Sequence, residues 1–105
     1  MFKWFRERRR DIKFTACFEK EATVRFNDGL ISPGAYKKCQ RAANSPEVMR
    51  AARLQLSATD GRLGGIADWD WEAIAKWFKE YFVPAIRTIL PLIIMLLAVN
   101  PSEDE

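Results

Sequence analysis

The last third of this chain constrains its folding more than any other stretch. From Tyr81 to Val99 it reads YFVPAIRTILPLIIMLLAV, with Arg87 the single charge and Thr88 the only other polar side chain. As one helix these residues would span about 28 Å at ~1.5 Å per residue, close to the ~30 Å hydrocarbon thickness of a bilayer. Three of the four tryptophans, Trp69, Trp71 and Trp77, lie just before or at its entry. The pattern predicts an interfacial aromatic belt of Trp69, Trp71, Trp77, Phe78 and Tyr81, since amphipathic rings favour the headgroup level. The span that follows would be carried by Ile89, Leu90, Leu92, Ile93, Ile94, Leu96 and Leu97.

A buried helix is the competing expectation. The uninterrupted apolar part, Ile89 to Val99, is short, and a soluble bundle or tight oligomer could wrap it completely. Charge placement favours the membrane. All 17 basic residues lie at or before Arg87, and the end of the chain carries only Glu103, Asp104 and Glu105. That is the asymmetry of the positive-inside rule, with the basic N-terminal part on the cytoplasmic or equivalent side of a single-pass protein.

Pro84 and Pro91 are spaced to fall on one face of this helix, with Arg87 between them. Each proline lacks an N–H, freeing the carbonyls of Glu80 and Arg87, so a kink is expected at both. Arg87 can snorkel back towards the interface. The same three residues form a candidate face for docking on a partner helix or lining a pore.

The composition narrows the chemistry. With no histidine, the chain has no His-based acid–base catalysis, no Ser-His or Cys-His nucleophile pair and none of the usual zinc or haem ligand sets. Gly64-Gly65 is an isolated pair, not a phosphate-cradling loop. The acidic pairs Asp68/Asp70 and Glu19/Glu21 read as solvated helix-end charges. No enzyme and no cofactor are implied. Cys17 and Cys39, without a CxxC pair, read as reduced structural thiols. The basic N-terminus runs into more charge instead of an apolar core, so no secretory signal is expected.

Residues 1–10, MFKWFRERRR, form a basic aromatic arm. Phe2, Trp4 and Phe5 stand beside Arg6, Arg8, Arg9 and Arg10, a combination suited to anionic lipid or to nucleic acid, although no recognised nucleic-acid motif accompanies it. A helical head follows over residues 11–57. Phe14, Phe18, Ala22 and Phe26 recur every fourth residue, placing them on one helical stripe, while a strand alternation over the same residues lacks partner strands. Asn27-Asp28-Gly29 supplies a stop. Ser32-Pro33 opens a helix to about Ala43, and Ser45-Pro46-Glu47 opens another to about Leu56. The latter carries Val48, Ala52 and Leu56 on one side and Arg50 and Arg53 on others. Residues 58–67 read as a Gly-containing linker and 68–100 as the interfacial and spanning helix, capped by Asp68 or Asp70. Residues 101–105 are an acidic tail.

These features predict an all-α protein with three short head helices and a long C-terminal helix. The expected function is non-enzymatic: a small tail-anchored membrane protein with a structural or adaptor role. It would act as an accessory subunit of a membrane complex or as a virion membrane protein linking a capsid to lipid. Its partners would be the bilayer and other subunits. Two alternatives are a holin-like pore assembled through Pro84, Arg87 and Pro91, and a soluble helical oligomer binding nucleic acid through its arginines.

Overall fold

Helix formation begins almost at the first residue. The computed structural model describes residues 2–66 and 70–99, and these form five helices in the order α1 (Phe2–Asn27), α2 (Pro33–Ala43), α3 (Pro46–Thr59), α4 (Gly61–Gly64) and α5 (Trp71–Val99). The expected all-α class holds, and no strand is present among the described residues. Trp69, Asp68 and the acidic tail lie outside them.

The local signals explain most boundaries. α1 contains neither glycine nor proline over its 26 residues, so nothing interrupts it before Gly29. There the backbone turns to φ 75°, the left-handed conformation open to glycine. Leu30 N–H bonds to the Arg25 carbonyl at 2.8 Å and Gly29 N–H to that of Phe26 at 3.0 Å. Those paired bonds are a Schellman cap. Ser32 caps α2 by accepting from Ala35 N–H at 3.1 Å, and Ser45 caps α3 by accepting from Val48 N–H at 3.4 Å. Each is followed by a proline whose missing N–H costs nothing at the first helical position. Asp70 directly precedes α5, and its carbonyl accepts from Ile74 N–H at 3.0 Å.

Two parts of the layout differ from the sequence expectation. The arm of residues 1–10 is not a separate segment, because α1 runs unbroken from Phe2 through the stripe to Asn27. Arginine and glutamate are good helix formers, and tertiary partners described below hold this part in place. The linker is also shorter than expected. α3 continues to Thr59, and Asp60 then caps the single turn of α4 by accepting from Arg62 N–H at 2.9 Å.

The core lies where α1, α2 and α3 meet α5. Phe14, Phe18 and Ala22 of α1 are buried along the predicted stripe, as are Val48, Ala52 and Leu56 of α3. Against them α5 presents Ile74, Phe78, Phe82, Ile86, Ile89, Ile93 and Leu97, one stripe along its whole length. An aromatic cluster ties α1 to α5, with Phe14 5.2 Å and Phe18 6.4 Å from Phe78, and Phe18 5.7 Å from Phe82. Cys39 and Ala42 bring α2 into the same core. Phe26, the last stripe position, stacks at 4.3 Å on Tyr36 of α2.

Candidate functional site

Two surfaces at opposite ends of α5 carry most of the residues singled out from the sequence. The first is the outer side of its C-terminal half. α5 is one helix long and apolar enough to cross a membrane, and 33% of its most apolar stretch is buried. A core helix of a soluble protein meets the same criterion, so the informative part is what stays outside. Of the predicted span, Ile89, Ile93 and Leu97 face the core. Leu90, Leu92 and Leu96 are half-buried. Ile94 and Met95 are 46% and 57% exposed, and Val99 at the end is 72% exposed. Pro84, Arg87 and Pro91 are exposed. The helix continues through both prolines, and the Thr88 hydroxyl donates to the Pro84 carbonyl at 3.1 Å.

The predicted aromatic belt divides. Trp77 and Phe78 are buried in the bundle, 5.1 Å apart edge to face, and Tyr81 is half-buried. Trp71 alone of the described belt residues is exposed.

Trp71 belongs instead to the second surface, formed with α1. Lys13 Nζ lies 5.7 Å from the Trp71 ring centroid and the Arg8 guanidinium 5.5 Å from that of Trp4. An open hollow of about 560 Å³ is lined by Phe5, Arg8, Arg9, Ile12, Lys13 and Trp71. Arg6, Arg8 and Arg9 are exposed, while Arg10 turns to Glu7 at 3.5 Å. The predicted basic residues are thus divided, and Lys13 and Trp71 join them. Nothing in the linear spacing of 13 and 71 signals that meeting.

The sign of this surface follows from where the acids go. Glu7 and Asp11, one helical turn apart on α1, both point to α3. Arg53 donates to Asp11 at 2.7 Å and to Glu7 at 2.5 Å, and Arg50 donates to Asp11 at 2.9 Å. Arg53 is 3% exposed, which periodicity, placing it away from the apolar side of α3, does not anticipate. A guanidinium this deep is tolerated because carboxylates accept from it through two of its nitrogens. With both acids drawn inward, the opposite side of α1 keeps Arg6, Arg9 and Lys13, none of which forms an ion pair among the described residues.

A third cluster joins α4 to α5. The Arg62 guanidinium lies 3.7 Å from the Tyr81 ring centroid, donates to the Tyr81 hydroxyl and bonds to Asp60 at 3.2 Å. The Trp77 indole N–H also donates to Asp60 at 3.2 Å. Burial works to raise the Asp60 carboxyl, but the Arg62 and Trp77 hydrogen bonds outweigh it and hold the group below the usual carboxylate range. These residues border a hollow of about 610 Å³ reaching Pro84 and Thr88. Its polar groups are occupied with one another, which suits a structural tie. Among the described residues no group of three or more acidic or cysteine side chains could hold a metal ion. Cys17 and Cys39 are free and buried.

Fold and surfaces together define a small all-helical protein with one apolar helix long enough for a bilayer and a basic, aromatic end. No family model, characterised protein or solved structure matches the chain.

Proposed function

We propose that this chain is a non-enzymatic, tail-anchored membrane protein with a structural or adaptor role. α5 attaches it to a bilayer, and the helical head stands on the basic side and binds other subunits. A subunit of a membrane complex and a virion membrane protein linking a capsid to lipid share this layout.

The observation that supports the reading is the apolar outer side of α5 that the finished bundle leaves uncovered. Seating only Ile94, Met95 and Val99 in lipid would contribute about 3–4 kcal/mol, given ~1.5–3 kcal/mol for each fully buried aliphatic side chain and their partial exposure. That is less than a single acyl chain supplies, and one acyl chain binds reversibly. Stable anchoring therefore needs α5 inserted along Tyr81–Val99, with Ile89, Ile93 and Leu97 exchanging bundle neighbours for lipid or another subunit.

Flotation of the full-length protein with phosphatidylcholine vesicles after an alkaline carbonate wash tests this. Retention is expected, and loss of retention is expected for the double substitution I94E/M95E, which removes no core side chain. A wild-type protein that washes off and runs as a monodisperse oligomer without detergent would replace the anchor by a soluble oligomer. The burial of Ile89, Ile93 and Leu97 favours that second reading.

A further inference from the structure

We infer that the basic aromatic end of the molecule is a contact site for single-stranded nucleic acid, so that the protein ties a nucleic acid to a bilayer. The inference deepens the adaptor reading and rests on it for the choice between nucleic acid and lipid as the anionic partner.

The chemistry comes from the hollow lined by Phe5, Arg8, Arg9, Ile12, Lys13 and Trp71. Two needs of a single strand are met there together. Phosphates require cations not already neutralised, and Glu7 and Asp11 are committed to Arg53 and Arg50 on α3. Unpaired bases require accessible rings, and Phe5 and Trp71 in the hollow's lining are 57% and 49% exposed, with Trp4, 54% exposed, edge to face on Phe5 outside it. Arg8 and Lys13 sit against two of those rings. Cations tracking a backbone beside stacking platforms are the recurring solution for binding single strands without sequence preference. Asp70 and Glu72 flank Trp71 in the chain and are exposed, so the attraction for phosphate comes from the α1 side.

Placement argues against lipid as the occupant. If the span begins at Tyr81, Trp71 stands about 15 Å further out along α5 at ~1.5 Å per residue. The headgroup layer adds only about 5–8 Å to each side of the hydrocarbon. If α5 merely rests its outer end on the surface, the separation between Trp71 and Ile94 is about 35 Å along the helix. In both arrangements the basic end faces away from the bilayer that holds α5.

The test uses the full-length protein in phosphatidylcholine nanodiscs and a fluorescent single-stranded oligonucleotide of about 15 nucleotides. Anisotropy is followed across a salt series. Salt-sensitive binding is expected. R8Q/R9Q/K13Q should weaken it and flatten the log–log salt slope by about 2, at ~0.7 for each phosphate that is no longer neutralised. Trp71→Leu should weaken it about tenfold and leave the slope unchanged, since stacking carries no counterion release. All these side chains are exposed or at the hollow's rim, and circular dichroism checks that the helices persist. The inference is overturned if folded protein does not bind the oligonucleotide, or if Trp71→Leu binds as wild type does. It is also overturned if R8Q/R9Q/K13Q instead abolishes flotation with phosphatidylglycerol vesicles while oligonucleotide binding is unchanged, which would make the patch a lipid site. Carbonate-resistant flotation with phosphatidylcholine reports separately on the anchor. Protein that floats but ignores the oligonucleotide sinks this inference alone; protein that binds the oligonucleotide but washes off sinks the anchor and the tie to a bilayer, and leaves the nucleic-acid contact site standing.

Discussion

Arg53 shows how one residue sets the character of a surface elsewhere. Its guanidinium is buried at the α1–α3 contact, while its partners Glu7 and Asp11 keep side-chain exposures of 33% and 15%. The asymmetry decides which substitution is worse. Asp11→Ala takes from a buried cation the carboxylate that meets its Nε and should cost about 3 kcal/mol, in the range for breaking a buried ion pair. Arg53→Met leaves carboxylates that water can reach and keeps most of the packed stem, so about 1–2 kcal/mol is expected. Urea unfolding of both variants checks the order, and an equal or reversed order would mean that the carboxylates, not the buried guanidinium, bear the larger cost of losing their partner. Arg50, 48% exposed at its pair with Asp11, contributes little to stability by comparison.

At the scale of the element, α5 performs two tasks on two sides. Its inner stripe is the core of the bundle. Phe78 is 1% exposed and contacts Phe14, Trp77 and Phe82, so Phe78→Ala should lower unfolding stability by about 3–5 kcal/mol. Ile94→Ser, on the uncovered side, should change it by less than about 0.5 kcal/mol in water. The same Ile94→Ser should nevertheless weaken vesicle association. Denaturation and flotation measured on both variants separate the two sides. If Ile94→Ser proved as destabilising as Phe78→Ala, the outer side would be covered in solution by a second copy. The helical period of the sequence shows that α5 is apolar nearly all round beyond Thr88. It does not show which third of that surface α1, α2 and α3 would claim.

The whole molecule has a radius of gyration of 13.2 Å, against about 13 Å for a compact domain of ~100 residues. Its compactness has a consequence at high pH. Burial pushes the Cys39 thiol up to about 11 from 9.0. Burial also raises Cys17, with Lys20 opposing and Glu21 adding to the shift. The folded state therefore holds protons that the unfolded chain releases. Stability should be insensitive to this pair below about pH 9 and fall as pH rises from there towards about 11. Urea midpoints at about pH 8 and pH 10.5 should show the decline, and Cys39→Ala should lessen it relative to wild type. An undiminished decline in Cys39→Ala would assign it to other groups. Asp60 works in the opposite direction: its lowered carboxyl supports the fold at neutral pH and loses that effect only below about pH 4.

Much of this architecture follows from local physics and was legible in the chain. Ser32-Pro33 and Ser45-Pro46 start helices because a hydroxyl can take an orphan N–H and proline has none to lose. Gly29 stops α1 because only a residue without a side chain adopts φ 75° at little cost. The Phe14–Phe18–Ala22 stripe found its core because the helical period places those side chains together. What the tertiary structure decided depends on partners distant in sequence. Glu7 and Asp11 gain Arg53 and Arg50 only when α3 docks, and that docking holds the arginine-rich start of α1 as helix. The same docking turns the acids inward and leaves the other side of α1 basic. Trp71 meets Lys13 only through the packing of α5 on α1. Periodicity reports which side of a helix is apolar, but burial and net surface charge depend on which neighbour arrives there.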